Sequence, residues 1–264
     1  MRLENKVALV TSCRSSLCAQ AAQQLAEAGA KVIICGRNTA KGRETVGRIQ
    51  QSGGRANFVL ADTSLPMDVA AAIDETIATY GRLDILLNHI SSEQLQDSEF
   101  ADVSEVVWDR IVESALKGTF FCCQYALPFL QQSGGTIINM VRQSSDLRFN
   151  AVTTICQGGV AALTSAIAQQ HPVRSVTANV LWVKPINEPK FSIEPWVSRV
   201  DPLLSQRTPI PEVNRSTIAT HSAAAHPSLP TISPPFADAA TAVVYLASRG
   251  STIQGMTLVV SERL

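Results

Sequence analysis

Residues 6–20, KVALVTSCRSSLCAQ, decide the fold of this chain. Residues 7–10 form a continuous apolar run, which is typical of a fully buried parallel strand. Residues 19–29 have the spacing of a helix that packs on such a strand. A strand, a tight turn and a helix within about thirty residues predict the start of a nucleotide-binding α/β unit.

The turn between this strand and helix, residues 11–18 (TSCRSSLC), contains no glycine. Glycine is expected here because the chain bends sharply and the backbone must approach a pyrophosphate. A residue with a side chain in the left-handed conformation costs roughly 1–2 kcal/mol. Each side chain also takes up space that a phosphate or the helix packing would use. The sequence therefore predicts a nucleotide-binding fold whose nucleotide site is impaired.

Strand and helix signals alternate along the rest of the chain. Further buried strands are predicted at residues 31–35, 57–61, 85–88, 134–139, 175–181 and 255–260. Helices are predicted between them, including one after the cap Asn38 and others at residues 66–80, 108–130 and 236–248. This order predicts one α/β domain over residues 1–264. It is a Rossmann fold with a seven-stranded, mostly parallel sheet and helices on both faces.

The pattern resembles the short-chain dehydrogenase/reductase family, whose first turn reads T-G-x-x-x-G-x-G. Thr11 matches this motif, whereas Ser12, Ser16 and Cys18 stand at the three glycine positions. The resemblance covers residues 1–186 and 236–264. It implies the family's fold, and the lost glycines imply that this chain itself binds no cofactor.

Three other positions concern the nucleotide. Arg37 follows the second strand, where an arginine accommodates the 2′-phosphate of NADP; it is either such a residue or a solvated loop residue. Asp62 matches the acidic residue that the family places against the adenine. The family's N-N-A-G after the fourth strand is replaced by bulkier residues after Asn88, beginning with His89.

The resemblance also locates the catalytic positions. The family's Asn, Ser, Tyr and Lys correspond to Ala115, Arg142, Thr153 and Gln157. Carbonyl reduction needs a proton donor whose pKa a neighbouring cation can lower toward neutrality. A tyrosine, whose pKa is about 10, meets that need, whereas the aliphatic hydroxyl of a threonine does not. We therefore expect no catalytic residue in this chain, although Ser144 and Ser145 could substitute for the lost serine.

Two arginines fall inside the altered sites. Arg14 lies in the turn that would hold a pyrophosphate, and Arg142 lies where the substrate carbonyl would be polarised. Either side chain could point away from the site as a surface residue. We expect instead that both help to fill the two cavities.

Composition limits the partners. Lys plus Arg equals Asp plus Glu, so no basic surplus points to nucleic acid or to an anionic membrane. The start of the chain has no signal-peptide pattern, and no run suggests a membrane-spanning helix, which favours a cytoplasmic location. All six cysteines are predicted to be reduced, and neither they nor the four histidines have metal-ligand spacing.

Residues 187–235 replace the family's substrate-binding flap with a longer segment rich in Pro, Ser, Thr and Ala. It is either an exposed loop or an arm that wraps a neighbouring subunit, and Trp196 is either a contact anchor or a local core residue. The helix at residues 108–130 is apolar on more than one face, and the family uses this helix in its subunit interface.

Taken together, the resemblance implies a non-catalytic subunit that pairs with a homologous, active short-chain dehydrogenase in a heterodimer or heterotetramer. NAD(P) is then expected in the partner. One alternative is an atypical NAD(P)-dependent oxidoreductase that uses Arg142, Ser144 or His89. Another is a module that binds a small ligand or a protein in the old cleft.

Overall fold

A computed structural model describes residues 3–90, 100–142, 151–171, 175–185, 231–232, 238–248, 254–255 and 257–262. Several predictions lie outside these residues. They concern Ser144, Ser145, Trp196, His221, His226 and nearly all of the segment 187–235.

The centre of the protein is a parallel sheet with the strand order β3-β2-β1-β4-β5-β6-β8-β7. The strands are β1 (Val7–Thr11), β2 (Lys31–Gly36), β3 (Arg55–Leu60), β4 (Ile85–Ile90), β5 (Thr136–Arg142), β6 (Thr177–Pro185), β7 (Thr231–Ile232) and β8 (Thr257–Glu262). The predicted seven-stranded parallel sheet is confirmed. Strand β7, which has two residues and pairs with β8 at the sheet edge, was not predicted.

Helices cover both faces of the sheet. They are α1 (Ser16–Glu27), α2 (Thr39–Gln51), α3 (Pro66–Tyr80), α4 (Glu105–Ile111), α5 (Gly118–Ser133), α6 (Ala151–Gln170) and α7 (Ala239–Ser248), with a 3₁₀ turn at Phe100–Asp102. One apolar core lies between the sheet and α1, α2 and α7, and another between the sheet and α3, α5 and α6. As predicted, the Asn38 side chain caps α2, accepting the Lys41 N–H at 3.0 Å.

The predicted helix at residues 108–130 is not uniform. Helices α4 and α5 are joined by a π-helical turn, Val112–Lys117, which contains Ala115. Such turns are frequent at functional sites. The hydrophobic spacing that predicted the helix cannot reveal this change because a single π-helical turn of 6 residues is too short to show a period of its own.

Helix α6 corrects one expectation. With 20 residues and a mean hydropathy of 1.4, it is long and apolar enough to span a membrane, although no such segment was predicted. It packs against β5, β6 and the π-helical turn, and its buried residues include Val152, Cys156 and Val160. These contacts explain its composition, because a helix packed against a sheet needs an apolar face.

Candidate nucleotide cleft and catalytic positions

A cleft lies at the carboxyl ends of β1 and β4, the neighbouring strands between which the strand order reverses. This is where open parallel sheets bind their ligands. The empty space in and directly above the cleft is about 480 Å³, a figure that includes open solvent. Its lining includes Ser12, Arg14, Arg37, Asp62, His89 and Ala115. Arg14 therefore lies at the predicted cavity, while Arg142 is half-buried at the end of β5.

The first glycine position keeps a glycine-like backbone. Ser12 has φ of +54°, in the left-handed region that favours glycine. Its hydroxyl lies 3.2 Å from the Thr63 hydroxyl, in a hydrogen bond across the cleft wall. The turn thus keeps the bend of the family, although the Cβ of Ser12 makes this conformation sterically unfavourable. The Ser12 hydroxyl is directed to Thr63.

The prediction that all six cysteines are reduced is wrong for two of them. Cys13 and Cys18 form a disulfide across the turn, with their Cα atoms 5.3 Å apart, which is within the usual range. The other four cysteines are free and buried. The prediction failed because it inferred the cysteine state from the expected compartment, whereas the tight turn brings this pair together.

Ser15 and His89 link the turn to β4. The Ser15 hydroxyl accepts the Cys18 N–H at 3.2 Å and lies 3.1 Å from His89 Nε2. His89 Nδ1 lies 3.3 Å from the Ser12 carbonyl oxygen, which can only accept, so Nδ1 carries the proton. Nε2 then accepts the Ser15 hydroxyl proton. The hydrogen bonds form a continuous series from the start of α1 to Ser12.

His89 is neutral in this arrangement. Burial, together with the charges of Arg142 and Arg14, lowers the pKa of His89 to about 4, against the opposing effect of its bond to the Ser12 carbonyl. A neutral imidazole is what the two hydrogen bonds require, since one ring nitrogen donates and the other accepts. The His89 side chain, which replaces a small residue of the family, therefore has a structural role because its two hydrogen bonds hold the turn.

At the adenine end, Asp62 already has partners. Its carboxylate accepts the Ser64 N–H at 3.0 Å and the Ser64 hydroxyl at 2.8 Å, and Arg37 lies 3.4 Å away. Burial raises the pKa of Asp62, but the bonds from Ser64 and the charge of Arg37 outweigh it, so the pKa is below its usual value. Arg37 is half-exposed and pairs with Asp62, which fits the loop interpretation.

Of the four catalytic positions, Ala115 lines the cleft, and all four differ in chemistry from the family. The Ala115 carbonyl accepts the Thr119 hydroxyl at 2.6 Å within the helical segment. Thr153 and Gln157 are buried one turn apart on α6, and Gln157 Nε2 donates to the Arg142 carbonyl at 3.1 Å. This bond joins the position of the family's lysine to that of its serine. It ties α6 to β5 by an amide where an active enzyme has a cation.

A buried polar network below the cleft joins β1, β4, β5 and α6. Thr11 donates to Asn88 at 2.9 Å, Asn88 to Asn139 at 2.9 Å, and Asn139 to the Thr164 hydroxyl at 2.8 Å. All four side chains are buried, so each would be costly without a partner. These residues fix the strand ends that carry the cleft.

Sequence reasoning missed Ser15, Thr63 and Ser64. Ser15 had a detectable signal, because serine directly before a helix is a preferred N-cap. Ser64 also had a local signal, because it bonds the carboxylate of Asp62 two positions before it, whereas Thr63 had none, since its partner Ser12 is 51 positions away. Among the residues that the structure describes, no group of three or more His, Cys, Asp or Glu could hold a metal ion.

The parallel sheet, the helices on both of its faces and the cleft at the switch point define an α/β protein with a Rossmann-like fold. A family model described as short chain dehydrogenase matches residues 6–189. The chain belongs to this family.

Curated relatives match the same part of the chain. It is 32% identical to the oxidoreductase YxbG of Bacillus subtilis over 181 residues, which are 67% of this chain and 66% of YxbG. It is 28% identical to a 3beta-hydroxysteroid dehydrogenase of Mediterraneibacter gnavus over 186 residues, 68% of this chain and 66% of that protein. It is 30% identical to the (2S)-[(R)-hydroxy(phenyl)methyl]succinyl-CoA dehydrogenase subunit BbsD of Thauera aromatica over 181 residues, 68% of this chain and 72% of BbsD. The matches to the first two thus span about two thirds of those proteins.

Solved structures show the same fold. A dehydrogenase/reductase from Sinorhizobium meliloti 1021 superposes with a TM-score of 0.71 at 22% identity, covering 98% of this chain and 95% of that one. Levodione reductase superposes with a TM-score of 0.65 at 20% identity, covering 69% and 72%. At these identities the likeness concerns the fold alone.

Proposed function

We propose that this chain is a non-catalytic subunit of an NAD(P)-dependent alcohol dehydrogenase or ketoreductase, paired with a homologous active subunit. The observation that carries the proposal is the occupation of the four catalytic positions by Ala115, Arg142, Thr153 and Gln157. An aliphatic hydroxyl at Thr153 does not donate a proton near neutral pH, and the Gln157 amide supplies no cation. A general acid or base contributes typically ~10²- to 10⁴-fold, so their combined loss accounts for an inactive site.

The residues of the turn do not fit a dinucleotide. The Ser12 side chain is hydrogen-bonded to Thr63 where the family has no side chain. The Cys18 N–H in the first turn of α1 already donates to Ser15. A helix N-terminus binds phosphate through such N–H groups, and here Ser15 takes the place of the ligand. No reaction step is therefore assigned to a cofactor in this chain, and NAD(P) is expected in the partner.

An exposed apolar surface supports pairing. It consists of side chains on α4, α5 and α6 and is named here the helical surface: Val106, Trp108, Phe120, Tyr125 and Ile155. Phe120 is 44% exposed and its ring packs edge-on at 5.6 Å from Phe121. Exposed apolar side chains mark protein–protein contacts where they form a continuous patch, so the proposal takes these side chains to act together. The family's use of these helices as a subunit interface, stated above as part of the resemblance, agrees with this position.

The relative BbsD bears the name of a subunit, which suggests the kind of complex. The proposed arrangement resembles a two-component dehydrogenase acting on a 2-(hydroxy(phenyl)methyl)succinyl-CoA, with this chain in the place of the inactive component. In such a complex the substrate contacts mainly the active partner. We also propose that the partner is an active dehydrogenase subunit of this kind and that the complex is cytoplasmic.

Substitution on the helical surface tests the pairing. A tagged chain expressed in its source should retain a second, homologous chain through purification, and Phe120→Asp combined with Tyr125→Asp should lose it. Met67→Asp is the matched control, because Met67 is 78% exposed and lies on α3 rather than on α4, α5 or α6. Equal retention of the partner by both variants would contradict the proposed surface.

A second candidate function is binding in the old cleft, with or without turnover. It is favoured by the open cleft, whose lining includes the side chain of Arg14. Titration calorimetry of the isolated chain with NADH and with NADPH separates the candidates. The subunit proposal predicts no binding, whereas micromolar binding of either nucleotide would favour an atypical oxidoreductase.

A further inference from the structure

We propose that Cys13 and Cys18 form a reversible thiol–disulfide switch that fixes or releases the β1–α1 turn at the mouth of the cleft. The pair brackets the turn, with Cα atoms 5.3 Å apart. Ser12 and Arg14, the neighbours of Cys13, both line the cleft. The oxidation state of the pair therefore sets how firmly these two residues are held. The switch does not depend on whether the chain pairs with another subunit.

The turn retains a second set of contacts that do not involve sulfur. Ser15 accepts the Cys18 N–H, and His89 bonds both the Ser15 hydroxyl and the Ser12 carbonyl. Ser12 also bonds Thr63. Reduction thus loosens the turn without unfolding the domain. The two cysteines are separated by 5 positions in sequence, and so short a loop closes at little entropic cost. The two thiols therefore stay close after reduction and can form the disulfide again.

The other cysteines are poorly suited to exchange. Cys35, Cys122, Cys123 and Cys156 are free and buried. Burial raises the pKa of Cys35 and of Cys123 to about 12, and that of Cys156 to about 11. The thiolate is the reactive form, so these groups are inert near neutral pH. Thiol exchange is therefore confined to the Cys13–Cys18 pair.

We assign a dithiol as the reductant. It transfers two electrons to the Cys13–Cys18 disulfide. One thiolate of the reductant attacks Sγ of Cys13, which is 7% exposed, whereas Cys18 is fully buried. The sulfur–sulfur bond breaks and Cys18 leaves as a thiolate, which then takes a proton. The second thiol of the reductant loses its proton and attacks the reductant's own sulfur in the mixed disulfide, forming an internal disulfide; Cys13 leaves as a thiolate and takes up a proton. Cys18 lies in the first turn of α1, where the helix N-terminus offsets part of the cost of forming a buried leaving thiolate.

Differential alkylation tests the switch directly. The purified chain is equilibrated in mixtures of reduced and oxidised dithiothreitol, the free thiols are alkylated, and peptides are quantified by mass spectrometry. Cys13 and Cys18 should change together in one transition that reverses on re-oxidation, while far-ultraviolet circular dichroism stays constant. The proposal is overturned if the pair never forms a disulfide, or if it is reduced only when the chain unfolds.

Hydrogen exchange tests the consequence for the turn. Amides of residues 14–18 should exchange about tenfold faster in the reduced chain, as in a locally opened segment. The double variant Cys13→Ser, Cys18→Ser should exchange at the fast rate in either buffer. Cys156→Ser is the control and should respond to the buffer as the unaltered chain does. Equal exchange of these amides in the oxidised and reduced chain would show that the pair does not control the turn.

Discussion

The hydroxyl of Ser15 and Nε2 of His89 are 3.1 Å apart, and this contact joins the β1–α1 turn to the end of β4. In a dinucleotide-binding protein the same turn and strand end meet across the bound phosphates. Here side chains supply the contacts between them. The turn is therefore stabilised from within the chain, which explains how the fold tolerates the loss of its glycines.

Removing the imidazole should destabilise the turn. His89→Ala eliminates two hydrogen bonds and leaves space in a buried site, so we expect a loss of about 2–3 kcal/mol in the free energy of unfolding. Urea denaturation measures this loss. His171→Ala is the matched control, since His171 is only half-buried at the end of α6 and its side chain contacts Gln131. That variant should lose less than about 1 kcal/mol. Similar losses in both would contradict the role of His89.

Stability should also depend on pH through His89. Its pKa is lowered from 6.5 to about 4 in the folded chain. Between these values the unfolded chain binds a proton that the folded chain does not, so stability is full above about pH 6.5 and falls as the pH is lowered toward 4. The fall attributable to this group is roughly 3 kcal/mol at most. Urea midpoints from pH 7 to pH 4.5 measure it. His89→Gln should flatten the slope, and an unchanged slope would refute the assignment.

A buried carboxylate at the opposite end of the sheet should matter for folding. Asp84 accepts bonds from Lys6 Nζ at 2.8 Å, from the Val7 N–H at 3.0 Å and from Arg82 Nε at 2.7 Å. Burial raises the pKa of Asp84, but these bonds outweigh it and the pKa lies below its usual value. Asp84 therefore stabilises the fold above about pH 4, and this contribution is lost as the pH falls through the lowered pKa.

Asp84→Asn should lower the free energy of unfolding by about 2 kcal/mol, because the charge that accepts hydrogen bonds from Lys6, Val7 and Arg82 is lost while Lys6 and Arg82 remain half-exposed to solvent. Glu44→Gln is the control, since Glu44 pairs with Arg48 on an exposed part of α2. Exposed pairs contribute about 0–1 kcal/mol, so this variant should be nearly neutral. Thermal denaturation of both variants at pH 7 compares them, and a neutral Asp84→Asn would exclude the proposed role.

Restoring the catalytic side chains alone should not restore activity. The combined variant Arg142→Ser, Thr153→Tyr, Gln157→Lys returns the family's acid, cation and carbonyl donor, but the turn still carries Ser12 and Cys18 in place of glycine. We expect no NADPH-dependent reduction of a ketone in a spectrophotometric assay, with folding checked by circular dichroism. Measurable turnover would show that the turn does not exclude the cofactor.

The fold could be predicted from sequence because its signals are local. Apolar runs marked the long strands, and Pro66–Tyr80 was predicted with its observed bounds. Asn38 was recognised as a cap from its position before the helix. Strand β7, with two residues, has too little sequence to carry a pattern, and its pairing depends on β8.

The site was only partly predictable. The lost glycines and catalytic residues were visible because the motif spacing is fixed. The contacts that replace them were not, since Ser15 and His89 are 74 positions apart and meet only in the folded sheet. The disulfide was missed for a related reason. The spacing of Cys13 and Cys18 was available, but whether their side chains face each other depends on the conformation of the turn.

The central claim, that the chain works as a subunit beside an active homologue, is tested most directly by native mass spectrometry of the chain purified gently from its own source without overexpression. The account predicts a complex that contains a second chain of similar mass, with NAD(P)-dependent activity that resides in that partner. Recovery of this chain only as itself, in monomers or homo-oligomers, would contradict the account and return attention to the cleft between Arg14 and His89.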